Sequence, residues 1–448
     1  MGFIFGEKKT VLRAGYNIGY DSFFNNITSN AVASSPNTIS TATPSTSSAD
    51  PRGLANFSSQ FPTTAATVLP SSTQTLITPD LVNPYYQRWS VGMQRELPFS
   101  IIMDIAYVGS KGTKLYINED YNPLVRPDMR ITPINPATGL PVTTGLTGRL
   151  DNIQGARTVR TNGGSSSYNA GQIELRRCFV NNFTFTGAYT FSKLISNADE
   201  VFTAGLGSGG TSFFTVPTIF GGSDLDRSVS VFDRTHRASF TYVVESPYFK
   251  SQQGFVGKLL GGFQLSGVTT FESGVPFSVF NGFDSDGISG ANRPDFNPNG
   301  QRGVRAIPQV DATGAITGYI NPEVIIGRTT SGSPIFAPIN PNDAQFIVNP
   351  TFSPTLANSV ARTGTLGRNT ERSVGTNVTN LTLLKRTRFG ESIAVETRAE
   401  FFNAFNKPQF GSGDNVANAF TQGQFLQPIN PTTSGGGRAI RYQVKFLF

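Results

Sequence analysis

The feature that most constrains this chain is a period of two. Leu12, Ala14, Tyr16, Ile18 and Tyr20 alternate with Arg13, Gly15, Asn17, Gly19 and Asp21. Trp89, Val91 and Met93 alternate with Arg88, Ser90, Gly92 and Gln94. The same pattern sets Phe183, Phe185, Tyr189 and Phe191 against Thr184, Thr186, Thr190 and Ser192. It sets Phe240, Tyr242 and Val244 against Ser239, Thr241 and Glu245, and Ile393, Val395, Ala399 and Phe401 against Glu396, Arg398 and Glu400. Successive side chains of a strand point to opposite faces, so each segment predicts a strand with one apolar and one polar face. The predicted strands are 10–22, 84–95, 100–110, 166–177, 182–193, 235–245, 262–272, 376–387, 391–403 and 438–448. Each is near the roughly 9–11 residues with which a tilted strand crosses a bilayer.

The connections carry a second signal, because short and long links alternate. Short links fall at 95–100, 178–182 and 388–391, with an intermediate one at 246–261. Long ones span 23–83, 111–165, 194–234, 273–375 and 404–437 and are rich in Gly, Ser, Thr, Asn and Pro. The run "SSPNTISTATPSTSSADP" (34–51) is nearly low-complexity. A compact soluble domain rarely carries so many long irregular loops, whereas an outer-membrane barrel has short turns on one side and long loops on the other.

Composition agrees with that class. Charged residues make up only 15% of the 448, and aromatic residues 11%. No apolar run approaches the about 20 residues of a membrane helix. The net charge of +7 is scattered over alternate strand positions rather than gathered in a patch, which argues against nucleic-acid binding. Cys178 is the only cysteine and excludes an intrachain disulfide and a cysteine-cluster metal site. The opening "MGFIFGEKKT" lacks the basic and apolar regions of a signal peptide.

The chain ends in "RAIRYQVKFLF", with Ile440, Tyr442, Val444, Phe446 and Phe448 on one parity and Arg441, Gln443 and Lys445 on the other. In a bilayer every backbone polar group must be paired, so such a strand is expected to close a barrel, its apolar residues toward lipid and its polar ones toward the interior.

Several segments resemble a known family. "NPYYQRWSVGMQRELPFSIIMDIAYVGSKGTKL", "SSYNAGQIELRRCFVNNFTFTGAYTFSK", "FDRTHRASFTYVVESPYF" and "RAEFFNAFNKPQFG" are similar to the barrel of Oar-like TonB-dependent receptors, which carry a carboxypeptidase-regulatory-like domain. The resemblance covers most strand segments and fades in the long loops. It implies an outer-membrane receptor for TonB-powered substrate uptake, not an enzyme, with no cofactor. The terminal "YQVKFLF" resembles the signal read by the barrel assembly machinery, which would make Tyr442, Val444, Phe446 and Phe448 its contact residues. Receptors of this kind carry a signal peptide, a TonB box and a plug ahead of about 22 strands. None precedes residue 1, so residues 1–448 are expected to form one barrel domain, the C-terminal half of a receptor, that would meet TonB only through a missing plug. "GFIFGEKKTVLRAGYNIGYD" reads as the end of one strand, a turn and the next strand. An open half-barrel is expected in preference to pairing of 438–448 with 10–22.

Four features could be taken for chemistry. His236, the only histidine, stands near Asp233 in "FDRTHRASF", and an Asp–His pair could activate water in an outer-membrane hydrolase. No further carboxylates are placed to complete such a site, and a structural role is the better reading. Asp284 and Asp286 in "DSDG" resemble the start of a calcium loop, but only Asp295 follows in place of the bidentate glutamate. "GTLGRN" (364–369) has two glycines without the strand–helix unit that cradles a phosphate. Glu396, Arg398 and Glu400 are expected to form a lumen-facing charge ladder. The reading is an all-β antiparallel transmembrane barrel in the cell outer membrane, in contact with lipid. It would act as the barrel of a receptor or, alternatively, as a surface or adhesin-type barrel binding partners through its loops.

Overall fold

A computed structural model describes residues 2–5, 10–22, 25–34, 71–125, 127–197, 199, 214–215, 221–287, 292–353, 355–390, 392–411, 413–420, 423–428 and 436–448. The low-complexity run beyond Ser34 and the predicted turn at 6–9 lie outside these residues.

The architecture is one long antiparallel meander. Its strands are β1 (Gly2–Phe5), β2 (Thr10–Tyr20), β3 (Tyr85–Leu97), β4 (Ile101–Asp120), β5 (Arg157–Val180), β6 (Phe183–Ser196), β7 (His236–Glu245), β8 (Phe263–Glu272), β9 (Thr376–Phe389), β10 (Ile393–Phe402) and β11 (Ala439–Leu447). Each pairs with its neighbour in sequence. All ten predicted strands are present, and β1, which pairs Gly2–Phe5 with Thr10–Arg13, adds the strand end read in the opening segment. Among the described residues two α-helices, α1 (Asn26–Val32) and α2 (Gly254–Leu260), interrupt the β structure.

Register turns the sequence alternation into two faces. Phe185 lies opposite Tyr242, Tyr189 opposite Ala238 and Phe191 opposite His236, while Thr184, Thr186 and Thr190 share the other face. Further along the apolar face, Val244 meets Leu265, Leu383 meets Ala399, and Tyr442 meets Ala399 from the other side. Several glycines on this face sit directly opposite an aromatic residue, among them Gly109 opposite Trp89, Gly187 opposite Phe240, and Gly267 opposite Tyr242. A Cβ on Gly109 would stand 2.2 Å from the Trp89 ring and one on Gly267 2.7 Å from the Tyr242 ring, so the rings cover bare backbone.

The short turns follow from local chemistry. Asn181 and Asn182 both take positive φ between Val180 and Phe183, the two-residue hairpin geometry that asparagine tolerates. Gly390 takes φ +77° between β9 and β10.

The sheet is open. Among the described residues no ladder joins β2 to β11, the two edges that a ten-strand closure would pair. Tyr442 and Phe446 on β11 are 73% and 66% exposed, and Phe448 is fully so.

Two expectations need correction. The predicted strands 100–110 and 166–177 are too short: β4 and β5 run on together to Asp120 and Arg157. The alternation is lost there because the register shifts on either side of Leu115, with Lys114 at φ +57°. The loop 273–375 is also not irregular. It folds into a five-stranded sheet in the order Asp295–Phe296, Ala344–Ile347, Gln301–Val310, Ile316–Arg328, Pro334–Pro338. Val279, Ile307, Phe346, Val348 and Leu366 from this loop cluster with Ala417 and Phe425 from loop 404–437. The rings of Phe346 and Phe425 meet edge to face, centroids 5.6 Å apart. Arg305, wholly buried, donates to the carbonyls of Ala417 and Ala419, pairs with Glu323, and lies 4.3 Å from the Phe425 ring centre. Burial pulls its guanidinium below the ordinary value, and Glu323 opposes that pull. Two long loops thus share one globular core, a loop domain standing on the wall.

Candidate functional site

The loop domain meets loop 194–234, which joins β6 to β7 at the long-loop side of the wall, through a set of charge pairs. Three arginines come from loop 273–375 and three aspartates from loop 194–234. Arg293 Nη1 lies 2.7 Å from Asp226, and both side chains are only 5% exposed. Arg372 Nη2 lies 2.7 Å from Asp233, and Arg368 Nη1 3.4 Å from Asp199. Arg368 also donates to the Ser196 carbonyl at 2.6 Å and to the Ser228 hydroxyl at 3.3 Å. Burial draws its guanidinium below the usual range, while Asp199 and Asp226 counter this. Asn369 donates to the carbonyl of Val229 at 2.8 Å. Breaking a pair buried on both sides, as Arg293–Asp226 is, costs about 3–5 kcal/mol when one partner is removed, so this pair does most to fix where the domain sits.

A cavity of about 680 Å³ opens beside this junction, lined by Lys193, Asp224, Arg227, Ser228, Arg368 and Arg372 among others. Its charged and hydroxyl groups stand beside the aliphatic side chains of Ile195 and Val229. A second cavity of about 480 Å³ lies against Phe277, Arg302, Glu323, Glu371 and Phe425.

Below the junction, the polar face of the wall carries the predicted ladder. Arg398 on β10 reaches Glu396 at 2.9 Å and Glu400 at 3.6 Å, and Arg441 on β11 reaches Glu400 at 2.5 Å. Tyr442, Val444 and Phe446 lie on the opposite, apolar face of β11, and Phe448 follows with the same parity.

The structure separates the two residues of the hydrolase reading. His236 lies on the apolar face, its Nδ1 2.8 Å from the Tyr189 hydroxyl and its ring 5.2 Å from that of Phe191. Asp233 is buried and accepts from the Leu194 amide, the Thr235 hydroxyl and Arg372. The carboxylate that would orient the imidazole is thus committed to the junction.

The "DSDG" segment is a hydrogen-bonded turn. Asp284 accepts from the Gly287 amide at 2.8 Å, and Asn292 accepts from the amides of Ser285 and Asp286. Asp295 is held by Arg362 at 2.6 and 2.7 Å. In "GTLGRN", Leu366 enters the loop-domain core while Arg368 and Asn369 grip the wall. Sequence reasoning weighed this segment only for phosphate and overlooked Asp199, Asp226, Arg293 and Arg372. The one legible signal was that the charged residues of these two loops are nearly all Arg and Asp, with no Lys.

Among solved structures, the chain is similar to the outer membrane transporter YddB from Escherichia coli, at 9% identity and a TM-score of 0.42, covering 98% of this chain and 38% of that one. It is also similar to the siderophore receptor PirA from Acinetobacter baumannii, at 11% identity and a TM-score of 0.36, covering 98% of this chain and 39% of the other. The copper transporter OprC gives 10% identity and a TM-score of 0.37, covering 100% and 38%. The chain thus spans under two fifths of the length of these proteins. No curated protein matches the sequence. The family described as Outer membrane beta barrel domain matches residues 3–441, nearly the whole chain. This chain therefore belongs to the outer membrane β-barrel domain family, and its place is the cell outer membrane.

Proposed function

We propose that this chain forms the C-terminal part of the barrel of an Oar-like TonB-dependent receptor, in which external loops capture a solute and a plug carried by the rest of the receptor, coupled to TonB, admits it. The observation that carries this reading is that, among the described residues, the outer edges of β1 and β11 have no partner strand. An apolar-faced strand such as β11 needs a partner on its outer edge inside a bilayer, so the wall calls for further strands. The similarity of the strand segments to Oar-like barrels supports the subtype. The charge ladder on the polar face and the cavity at the loop junction support a polar solute. In this reading Tyr442, Val444, Phe446 and Phe448 are what the barrel assembly machinery grips.

The test places a photo-reactive residue at Gln443 in cells carrying the whole reading frame. The expected result, beside cross-links to the adjacent β10, is cross-linking to a strand encoded outside residues 1–448, with a plug and TonB box encoded in frame. Cross-links to β2, with no plug encoded, would replace the receptor by a small closed barrel. The globular loop domain favours a second reading, capture of a surface partner. Replacing 278–370 by a short turn separates the two readings. A surface binder loses binding and retains no transport, whereas a receptor with plug and TonB box retains TonB-dependent leakage of small solutes.

A further inference from the structure

The link 246–262 between β7 and β8 lies on the short-turn side of the wall, and among the described residues only this short-side link carries an α-helix. Outer-membrane barrels keep their short turns on the periplasmic side. The helix, α2, is built to expose an apolar stripe. Phe255 is 81% exposed, and Val256, Leu259 and Leu260 beside it are each about half exposed or more. These four recur at a spacing that places them on one side of a helix. The opposite side is Gly257, buried, where a Cβ would meet the backbone of Gln252 at 3.0 Å. Exposed Tyr248 and Phe249 extend the stripe along the link.

The helix sits on the lipid side of the wall. Lys385 shares the apolar face with Phe263, its direct partner on β8. Its Nζ lies 4.2 Å from the Phe263 ring centre and donates to the carbonyls of Lys258, Leu259 and Gly261 at 3.0, 2.7 and 3.1 Å. Lys258 in turn reaches over Phe389, 5.2 Å from its ring centre. These contacts pin the C-terminal end of α2 against wall residues that face outward.

The link also finishes the sheet. β9 runs past the first residue of β8, which would leave its last peptide groups bare. Gln252, buried, accepts from the Arg388 amide at 2.8 Å and donates to the Arg386 carbonyl at 2.7 Å. The Arg386 amide is taken by the Gly262 carbonyl at 2.9 Å. A backbone facing water needs no such provision, whereas one at a membrane boundary does.

We infer that residues 246–262 are an interfacial anchor. In it α2 lies in the plane of the periplasmic leaflet, its apolar stripe in the headgroup–acyl boundary and its lysines at phospholipid phosphates. The occupant is the phospholipid surface because the stripe is continuous with the apolar wall and carries no acidic residue from Ser246 to Gly262, only Lys250 and Lys258. Phe99 and Phe179, exposed at the neighbouring short turns, continue the same rim in the manner of an aromatic belt. The inference rests on membership of the outer-membrane barrel family.

The experiment uses the protein encoded by the whole reading frame, with Cys178→Ser and any other cysteine likewise replaced, carrying a bimane label at Phe255→Cys or, separately, at Phe240→Cys. Each protein is reconstituted in phosphatidylethanolamine–phosphatidylglycerol vesicles, with quencher lipids labelled shallow or deep. At Phe255→Cys the label should lose at least half its emission to the shallow quencher, less to the deep one, and resist iodide. Trypsin cleavage after Lys258 in the unsubstituted chain should likewise slow on reconstitution, a readout independent of any variant. Quenching at Phe240→Cys with none at Phe255→Cys, where iodide quenches instead, would overturn the anchor and leave the barrel standing. Absence of lipid quenching at both positions would overturn the membrane wall and the anchor with it.

Discussion

The wall and the loop domain are two solutions to the same problem within one chain. The wall has almost no interior. Its apolar residues face out, and Tyr16, Val91, Phe240 and Tyr442 are all exposed. The loop domain has what the wall lacks: Val279, Phe346 and Val348 are essentially inaccessible, and even an arginine is sealed within. The wall takes its order from backbone ladders and leaves its apolar surface to lipid. The loop domain stands in water and must bury its own. The difference teaches that an apolar residue has opposite meanings in the two regions, so substitution should separate them.

The largest separation is expected from Arg305→Leu. Glu323 would lose its ion-pair partner and the carbonyls of Ala417 and Ala419 their guanidinium donor, at a cost of about 3–5 kcal/mol to the loop domain. Limited proteolysis should then cut within 300–350 while the heat-dependent electrophoretic shift of the barrel persists. Loss of both together would mean that the two regions fold as one unit. Next is Phe240→Arg against Thr241→Arg, neighbours on opposite faces near the middle of β7. The first should destabilise the inserted wall by about 2–4 kcal/mol and the second hardly at all, read by urea titration in vesicles. Equal costs would erase the distinction between the faces.

A smaller effect, about 1–3 kcal/mol, is expected for Gly262→Ala at the rim. Gly262 takes φ +76°, and a Cβ there would stand 2.1 Å from the Arg386 carbonyl oxygen. Hydrogen exchange at Arg386 and Arg388 should rise while the loop domain is unchanged. The smallest effect concerns Asp311, in the turn between Gln301–Val310 and Ile316–Arg328. The Thr313 hydroxyl and then the amides of Thr313 and Ala315 hold its carboxylate below the ordinary 3.8. A lowered carboxylate stabilises the fold above its unfolded value and ceases to do so as pH falls through the folded one. The hairpin tip should therefore loosen only in acid below that ordinary value, with the wall unaffected, as an NMR titration of Asp311 and its neighbours would record.

The wall was legible in the sequence because lipid and polar interior impose the alternation residue by residue. From Leu12 to Tyr20 and from Ile393 to Phe401 the pattern could be read off directly and matched the register. Where a bulge at Lys114 shifts the parity, the signal stopped although the strand continued. The loop domain left no comparable trace. Its core residues lie as far apart as Val279 and Phe425 and follow no period, and its strands carry proline at 308, 322 and 334. The junction was still less visible, since Arg293 and Asp226 are ordinary loop residues until the fold brings them together. Asp233 was noticed for its neighbour in sequence, His236, when its partner in space is Arg372.

The short ribbon at the base of the loop domain has a kinetic consequence. Pro276–Phe277 pair with Glu371–Arg372 just beyond the last rung of β8 and β9, Glu272 with Thr376. Every other wall strand meets a partner across a shorter stretch of chain, but these two must find each other across the whole of 273–375. Closing a loop ten times longer costs about 2 kcal/mol more in chain entropy when the loop is slack. A segment that has already folded is not slack: its ends emerge side by side and present β8 and β9 to each other as a tight turn would. A loop domain that folds first would thus act as the clasp on which that hairpin closes.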